Sequence, residues 1–204
     1  MALVCEVSFD REKLKSEIRS TYARVALEPT GDFHFHRGPG YAASHLRYDS
    51  DELAELPDFV TAPFAGVGNP LRVDVLPAGA TVIDLGSGGG MDCLLAGRRV
   101  GSQGRVIGFD MTDAMLDTAR AGAKAVALPQ VCFEKADIGR LPIDDASVDV
   151  AISNGVINLS PEKGQVFGEL YRVIRPGGRV QFADIVIEDQ LSETALNDIE
   201  LWVG

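Results

Sequence analysis

Residues 80–92, Ala80-Thr81-Val82-Ile83-Asp84-Leu85-Gly86-Ser87-Gly88-Gly89-Gly90-Met91-Asp92, decide how the rest of the 204-residue chain is read. Thr81, Val82, Ile83 and Leu85 are the β-branched and apolar residues of a buried strand. Glycines at 86, 88 and 90 let backbone come close to a ligand where a Cβ would collide. The helix opened by the turn offers unpaired N–H groups and the positive end of a dipole, a seat for an anionic group. Such a stretch is a cradle for a nucleotide-like cofactor.

Downstream of the cradle the pattern alternates between strand and helix. Strand 80–85 leads to a helix near 91–100, and strand 105–110 to a helix capped by Thr112. Strand 130–134 is followed by an irregular stretch around Leu141. Strand 147–153 leads to a helix opened by Ser160-Pro161, with Ser as N-cap and Pro at the first helical position. That helix is expected to stop at Arg175-Pro176-Gly177-Gly178, with strand 179–187 next and a last helix from about 192. Repeated β–α units imply an α/β, doubly wound, mostly parallel sheet with helices on both faces.

Upstream, Leu14, Ile18, Tyr22 and Val25 mark an amphipathic helix over 8–27, capped by Ser8 or Asp10. It is expected to pack on the main domain, with a lid over the cofactor as the second reading. Residues 28–45 are rich in breakers and hold all three histidines, His34, His36 and His45. They read as a cap that presents Phe33, Phe35, His36 or Tyr41 to a substrate pocket. The chain thus divides into a helix and cap segment, 1–60, and a cofactor-binding domain, 61–204.

Charge and cysteines narrow the function classes. A net charge of −11 argues against a nucleic-acid footprint, which needs clustered Lys and Arg. No apolar run approaches the roughly 20 residues that span a bilayer, and residues 1–10 are too short and acidic for a signal peptide. The cytoplasm is the expected location, with no membrane partner. Cys5, Cys93 and Cys132 form no Cys-x-x-Cys pair, so neither a disulfide framework nor zinc is suggested. The histidines lack a Cys or a placed carboxylate to complete a metal site, and no metal is expected.

The nicotinamide fingerprint Gly-x-Gly-x-x-Gly/Ala fails, because its third position is Met91 counted from Gly86 and Cys93 counted from Gly88. No Gly-Lys-Ser/Thr follows, which excludes a Walker loop. Instead Asp84 stands two residues before Gly86, and Asp110 ends the second strand, where an acid accepts hydrogen bonds from both ribose hydroxyls. The run Asp84-Leu-Gly86-Ser-Gly88-Gly-Gly90 resembles the first motif of class I S-adenosylmethionine-dependent methyltransferases, Asp/Glu-x-Gly-x-Gly-x-Gly.

That resemblance implies S-adenosyl-L-methionine as cofactor, held by Asp84, Gly86, Ser87, Gly88, Gly90, Asp110 and Met111. It places Asp137 and Ile138 at the adenine, and Asn154 beside the methionine part and the methyl group. Gly68-Asn-Pro70, residues 85–93, Asp110-Met-Thr-Asp-Ala-Met-Leu116, residues 152–160 and Arg175-Pro-Gly-Gly-Arg179 are similar to arsenite methyltransferases. Those enzymes hold As(III) through thiolates, since a soft metalloid prefers sulfur. Two of the expected cysteines are Val67 and Gly155 here, and a third would follow Trp202-Val-Gly204. Little arsenic turnover is therefore expected, unless further cysteines lie beyond Gly204.

Class I enzymes usually add two strands after the fifth helix, and the fifth strand would otherwise be an exposed edge. Coverage by a continuation past Gly204 is expected first, with residues 1–60 or a second copy in a homodimer as the other routes. The function expected is methyl transfer to a small molecule. If the acceptor needs a base, His36 is the first candidate and Asp184 the second. A catalytically silent cofactor-binding or regulatory domain is the competing class, with an NAD-dependent oxidoreductase third.

Overall fold

The structure, a computed structural model, describes residues 10–186 and 198–203. Five strands form one sheet, β1 (Thr81–Leu85), β2 (Arg105–Asp110), β3 (Val131–Lys135), β4 (Val148–Asn154) and β5 (Ile174–Ala183). Their spatial order is β3-β2-β1-β4-β5 and every pairing is parallel.

Alternation along each strand sends side chains to two separate cores. Val82, Val106, Val131, Phe133, Val150 and Ile152 enter one cluster. Ile83, Leu85, Ile107, Phe109 and Ala151 enter the other. The first face is covered by α5 (Met91–Val100) and α6 (Asp113–Ala125), through Leu94, Leu95, Leu116 and Ala119. The second is covered by α7 (Lys163–Val173), through Val166, Leu170 and Val173. Apolar residues on both strand faces are what a doubly covered parallel sheet requires.

The order fixes where a ligand fits. From β1 the chain winds outward to β2 and β3, then returns on the other side of β1 as β4 and β5. The crevice lies beyond the carboxyl ends of β1 and β4, where the winding reverses.

Upstream of the sheet, α1 (Arg11–Leu27) is capped by Asp10, whose Oδ1 accepts from the N–H groups of Glu12 and Lys13. Ser8, the other expected cap, lies outside the described residues. Leu14 and Ile18 of α1 share a small cluster with Met111, Leu159 and Trp202, the last on α8 (Ile199–Val203). The segment 28–45 is not a loop throughout: Gly38-Pro39 opens α2 (Gly38–Leu46), with Pro in the first turn. Two short helices, α3 (Ser50–Ala54) and α4 (Asp58–Thr61), follow.

Most boundaries lie within a residue or so of the sequence reading, and the larger departures are in α7 and β5. α7 starts at Lys163 rather than at Ser160, because a 3₁₀ turn over Ile157–Leu159 occupies the approach. Ser160 Oγ instead accepts from the Glu162 N–H at 3.2 Å, in the turn before the helix. β5 starts at Ile174 and ends at Ala183, not 179–187. The Arg175-Pro-Gly-Gly178 breaker is a bulge inside the strand: the register jumps from Val148↔Ile174 to Val150↔Arg179, and Gly177 absorbs the turn at φ +85°. Thr112 occupies the N-cap of α6 without a side-chain cap bond. The start of the last helix near 192 lies outside the described residues. Among those described, no helix is long and apolar enough to cross a membrane.

Candidate active site

The glycine turn after β1 is fastened to the end of β2. Ser87 N–H donates to the Phe109 carbonyl and Gly88 N–H to Asp110 Oδ2, both at 2.9 Å. The other Asp110 oxygen accepts from Thr112 N–H at 2.8 Å. Gly86, Gly88 and Gly90 all take positive φ, which L side chains resist. Their surroundings differ. A Cβ on Gly88 would face the cleft with only Met115 Sδ near, at 3.9 Å, whereas one on Gly90 would meet Phe133 at 2.8 Å and Ala119 at 2.9 Å. Gly86, Ser87 and Gly88 line the cleft, while Gly90 lets α5 pack against β3 and α6.

The cleft contains about 1100 Å³ of space including its mouth, and its floor is acidic. Asp84 is 3 % exposed and accepts from the Cys93 thiol at 3.2 Å. Burial, and then the neighbouring Asp92 carboxylate, push the Asp84 carboxyl well above the ordinary range. Asp92, in the first turn of α5, is raised by burial, against hydrogen bonds from Tyr48 and Asn154 that pull it down. Burial raises Asp110 as well, opposed by the N–H groups of Thr112 and Gly88. The protein's own carboxylates, Asp84 and Asp92, stand beside the helix N-terminus read as a seat for an anion. A phosphate here would meet like charge, whereas a cation would relieve it. The buried Ser87 Oγ has no hydrogen-bond partner, a further polar atom left for a ligand.

A pH prediction follows with a definite sign. In the folded chain Asp84 binds its proton more tightly than in the unfolded chain, so its contribution to stability falls as pH rises through that interval. Asp84→Asn is therefore expected to raise the melting temperature of the donor-free protein at neutral pH, with the difference from wild type shrinking as pH approaches 4. Thermal unfolding across pH measures this directly.

The roof comes from α1. Lys15, Ile18 and Tyr22 line the cleft. Lys15 Nζ donates to Asp137 Oδ2 at 2.6 Å. Burial opposes ionisation of Asp137, but the Lys15 and Gly139 hydrogen bonds hold its carboxyl below the usual value. Tyr22 is pushed up to about 12 by burial and by Asp110. The helix both packs on the domain and closes the cleft, so the two sequence readings of α1 describe one element.

Met111, Asp137, Ile138 and Asn154 also line the cleft. The Asn154 amide is used within the protein: Oδ1 accepts from Val67 N–H at 2.9 Å and Gly68 N–H at 3.1 Å, and Nδ2 donates to Gly68 O at 2.9 Å. The two residues named as bases lie elsewhere. His36 stacks on Tyr41, with centroids 4.9 Å apart, and Tyr41 stacks on His45 at 5.1 Å. None of Phe33, Phe35, His36 and Tyr41 lines the cleft, so the cap supports α1 rather than the pocket: Phe35 stacks on Tyr22. Asp184 accepts from Asn158 N–H at 3.1 Å and Ile185 N–H at 2.8 Å, tying the end of β5 to the 3₁₀ turn. The sequence reading assigns no site role to Asp92, Tyr48 or Lys15, and reaches Tyr22 only through the lid reading of α1. Only Asp92 carried a local signal, as an acid in the first turn after the glycines.

Residues 76–202 match the family described as a methyltransferase domain. The chain belongs to the class I S-adenosylmethionine-dependent methyltransferases. This methyltransferase chain is 40 % identical over 190 residues to the arsenite methyltransferase of Halobacterium salinarum, covering 87 % of itself and 48 % of that protein. It is 37 % identical over 157 residues to the arsenite methyltransferase of Aquipseudomonas alcaligenes, covering 74 % of itself and 45 % of the relative. The crystal structure of the arsenic(III) S-adenosylmethionine methyltransferase of Chlamydomonas reinhardtii superposes with a TM-score of 0.65 at 39 % identity, over 71 % of this chain and 51 % of that one. The chain spans about half the length of these relatives. Gly155 lines the cleft and Val67 packs beside it, since a Cβ on Gly155 would lie 3.1 Å from Val67 Cγ1.

Proposed function

We propose that this chain is the donor-binding part of an S-adenosylmethionine-dependent methyltransferase acting on a small, apolar acceptor. The buried Asp84 carboxylate in the floor of a glycine-lined cleft carries the reading. A cationic nucleoside fits an acidic floor, and a dinucleotide pyrophosphate does not. The residues present suit the donor: two glycines with no side chain in the way, the paired oxygens of Asp110, and the unpartnered Ser87 hydroxyl.

In this reading Gly86, Ser87, Gly88, Asp110 and Met111 hold the nucleoside. Asp137 and Ile138 flank the base, and Asp84 faces the charged amino-acid end, with Asn154 shaping the adjoining wall. When bound, S-adenosylmethionine supplies a methyl group already activated by its sulfonium. What the chain adds is position and dryness: Ile18 and Tyr22 close the cleft over the donor, and the 66–68 turn walls its far side. Because His36 and Asp184 do not line the cleft, this reading gives neither the role of base and takes the acceptor as nucleophilic on its own. The described part of the cap segment, residues 10–60, then belongs with the cofactor-binding domain, α1 serving as its roof. The acidic surface charge supports a small-molecule acceptor over nucleic acid, and the cytoplasm is the proposed setting.

Gly155 in the cleft lining, with Val67 packed beside it, offers no sulfur where the resembling enzymes offer thiols, which supports weak arsenic chemistry. A radiolabelled-methyl assay with As(III) and thiol is expected to show little transfer above the arsenic-free control. Rapid arsenic methylation by this chain would overturn the acceptor assignment while leaving the donor site intact.

A further inference from the structure

Behind the cleft wall, one phenol joins four segments of chain that are far apart in sequence. Tyr48 is 4 % exposed, and its ring packs edge-on against Phe64, with centroids 5.3 Å apart. Its hydroxyl lies 2.7 Å from Asp92 Oδ1, 3.1 Å from Asn154 Nδ2 and 3.2 Å from the Gly68 carbonyl. A hydroxyl carries one proton. The short contact to a carboxylate claims it, which leaves the oxygen to accept from Asn154. Asn154 completes the set: its Oδ1 accepts from the Val67 and Gly68 N–H groups, and the two protons of its Nδ2 are shared among the Gly68 carbonyl, the Tyr48 oxygen and Asp92 Oδ2, the last at 3.1 Å. The turn so held has no slack: a Cβ on Gly66 would overlap the Asn154 amide, and one on Gly68 would lie 2.5 Å from Ala183 Cβ.

Tyr48 does not line the cleft, whereas Asp92, Asn154 and Gly66 do. We infer that Tyr48 is a positioning residue: acting through Asp92 and Asn154, its hydroxyl locks the 66–68 turn against the end of β4 and fixes the Asp92 carboxyl in the cleft floor. The inference rests on the donor-site reading above. Ionised Asp92 accepts from both Tyr48 and Asn154, so protonation of Asp92 releases the phenol and loosens the turn. The charged and titratable groups around Asp92 are Asp84 on β1, Asp110 on β2, the Cys93 thiol beside Asp84, and Arg99 further along α5. Burial leaves the Asp92 carboxyl raised overall, and the two hydrogen bonds that favour its ionised form come from Tyr48 and Asn154, both outside its own helix.

The test is calorimetric titration of S-adenosylmethionine into the full chain across pH, for wild type and Tyr48→Phe. Wild-type affinity is expected to fall on the acid side as the floor carboxylates protonate. Tyr48→Phe is expected to move that acid limb to higher pH by about one unit, the size of one hydrogen bond to a charged group. In an Asp92→Asn background, Tyr48→Phe should leave the pH profile unchanged, because the group it acts through no longer titrates. Amide exchange in the wild-type chain gives a reading that needs no variant to fold. Protection factors at Val67 and Gly68 should drop across the same pH interval in which donor affinity drops. An acid limb unmoved by Tyr48→Phe, or protection independent of pH, overturns the role of Tyr48 while the donor site stands. A folded wild-type chain that fails to bind S-adenosylmethionine overturns both.

Discussion

Asp110→Ala is expected to weaken S-adenosylmethionine binding by about a hundredfold or more, the loss of two hydrogen bonds to a charged acceptor at about 1.5–3 kcal/mol each. The carboxylate stands at the carboxyl end of β2 with its oxygens already engaged by Gly88 N–H and Thr112 N–H. The Thr112 hydroxyl and the Met111 N–H also act on this carboxylate, so a ligand hydroxyl meets acceptor oxygens already held in place by the protein. Removing the group takes away those acceptors and also unfastens the glycine turn from β2. Asp110→Asn separates the two effects, because it keeps one acceptor oxygen and the shape. Its expected loss is about tenfold, the worth of one charged hydrogen bond reduced to a neutral one. Calorimetry on both variants, with thermal unfolding as the check on the turn, decides the matter. Equal affinities for wild type and Asp110→Ala would remove Asp110 from the site.

Gly90→Ala is expected to act on stability instead. The left-handed backbone costs a non-glycine residue about 1 kcal/mol, and forcing a methyl into filled space about 1–3 kcal/mol more. Gly90 incurs both, with φ at +90° and Phe133 and Ala119 under 3 Å from the added carbon. The neighbours are an aromatic ring and a helix, neither a flexible tip that swings away. At 2–4 °C per kcal/mol for a domain of this size, the melting temperature should fall by roughly 5–15 °C. Gly88→Ala is the informative contrast. Its φ is also positive, at +50°, but the space beside it is open. It should cost only about 1 kcal/mol of stability while placing a methyl in the cleft, so donor affinity should suffer more than folding. Near-equal melting temperatures for the two variants would contradict the separate roles given to these glycines.

The two variants also mark how far the sequence could be read. β1 and β2 were legible because β-branched runs bounded by glycine or acid leave few alternatives, and β2 occupies Arg105–Asp110 as its pattern implies. The glycine spacing identified the cradle, yet gave Gly88 and Gly90 the same role. Only the packing of α5 on Phe133 and Ala119 separates them. The start of β5 was hidden because Arg175-Pro-Gly-Gly178 reads locally as a helix stop followed by a turn. Pairing with β4 turns the same residues into a bulge, and pairing is not a local property.

The site was legible in its glycines and in the acids at strand ends, and illegible wherever partners are distant. Lys15 meets Asp137 across 122 positions, and Tyr48 meets Asn154 across 106. Nothing near either residue announces the contact. His36 shows a different limit. Its residue type suits a base, but its ring stacks on Tyr41 away from the cleft lining, and a general base must first be within reach of the proton it takes. Asp184 was likewise suited by type and strand position, and serves to fasten the backbone of Asn158.

The acidic floor and the glycine turn together require a cationic nucleoside. The measurement that bears on this most directly is calorimetric titration of the chain with S-adenosylmethionine, beside NAD as a dinucleotide control, from about pH 5 to pH 8. Saturable one-to-one binding of S-adenosylmethionine that strengthens as the floor carboxylates ionise, with no binding of NAD, is the result predicted. Binding of NAD in preference to S-adenosylmethionine, or no binding of S-adenosylmethionine by the folded chain, would contradict it.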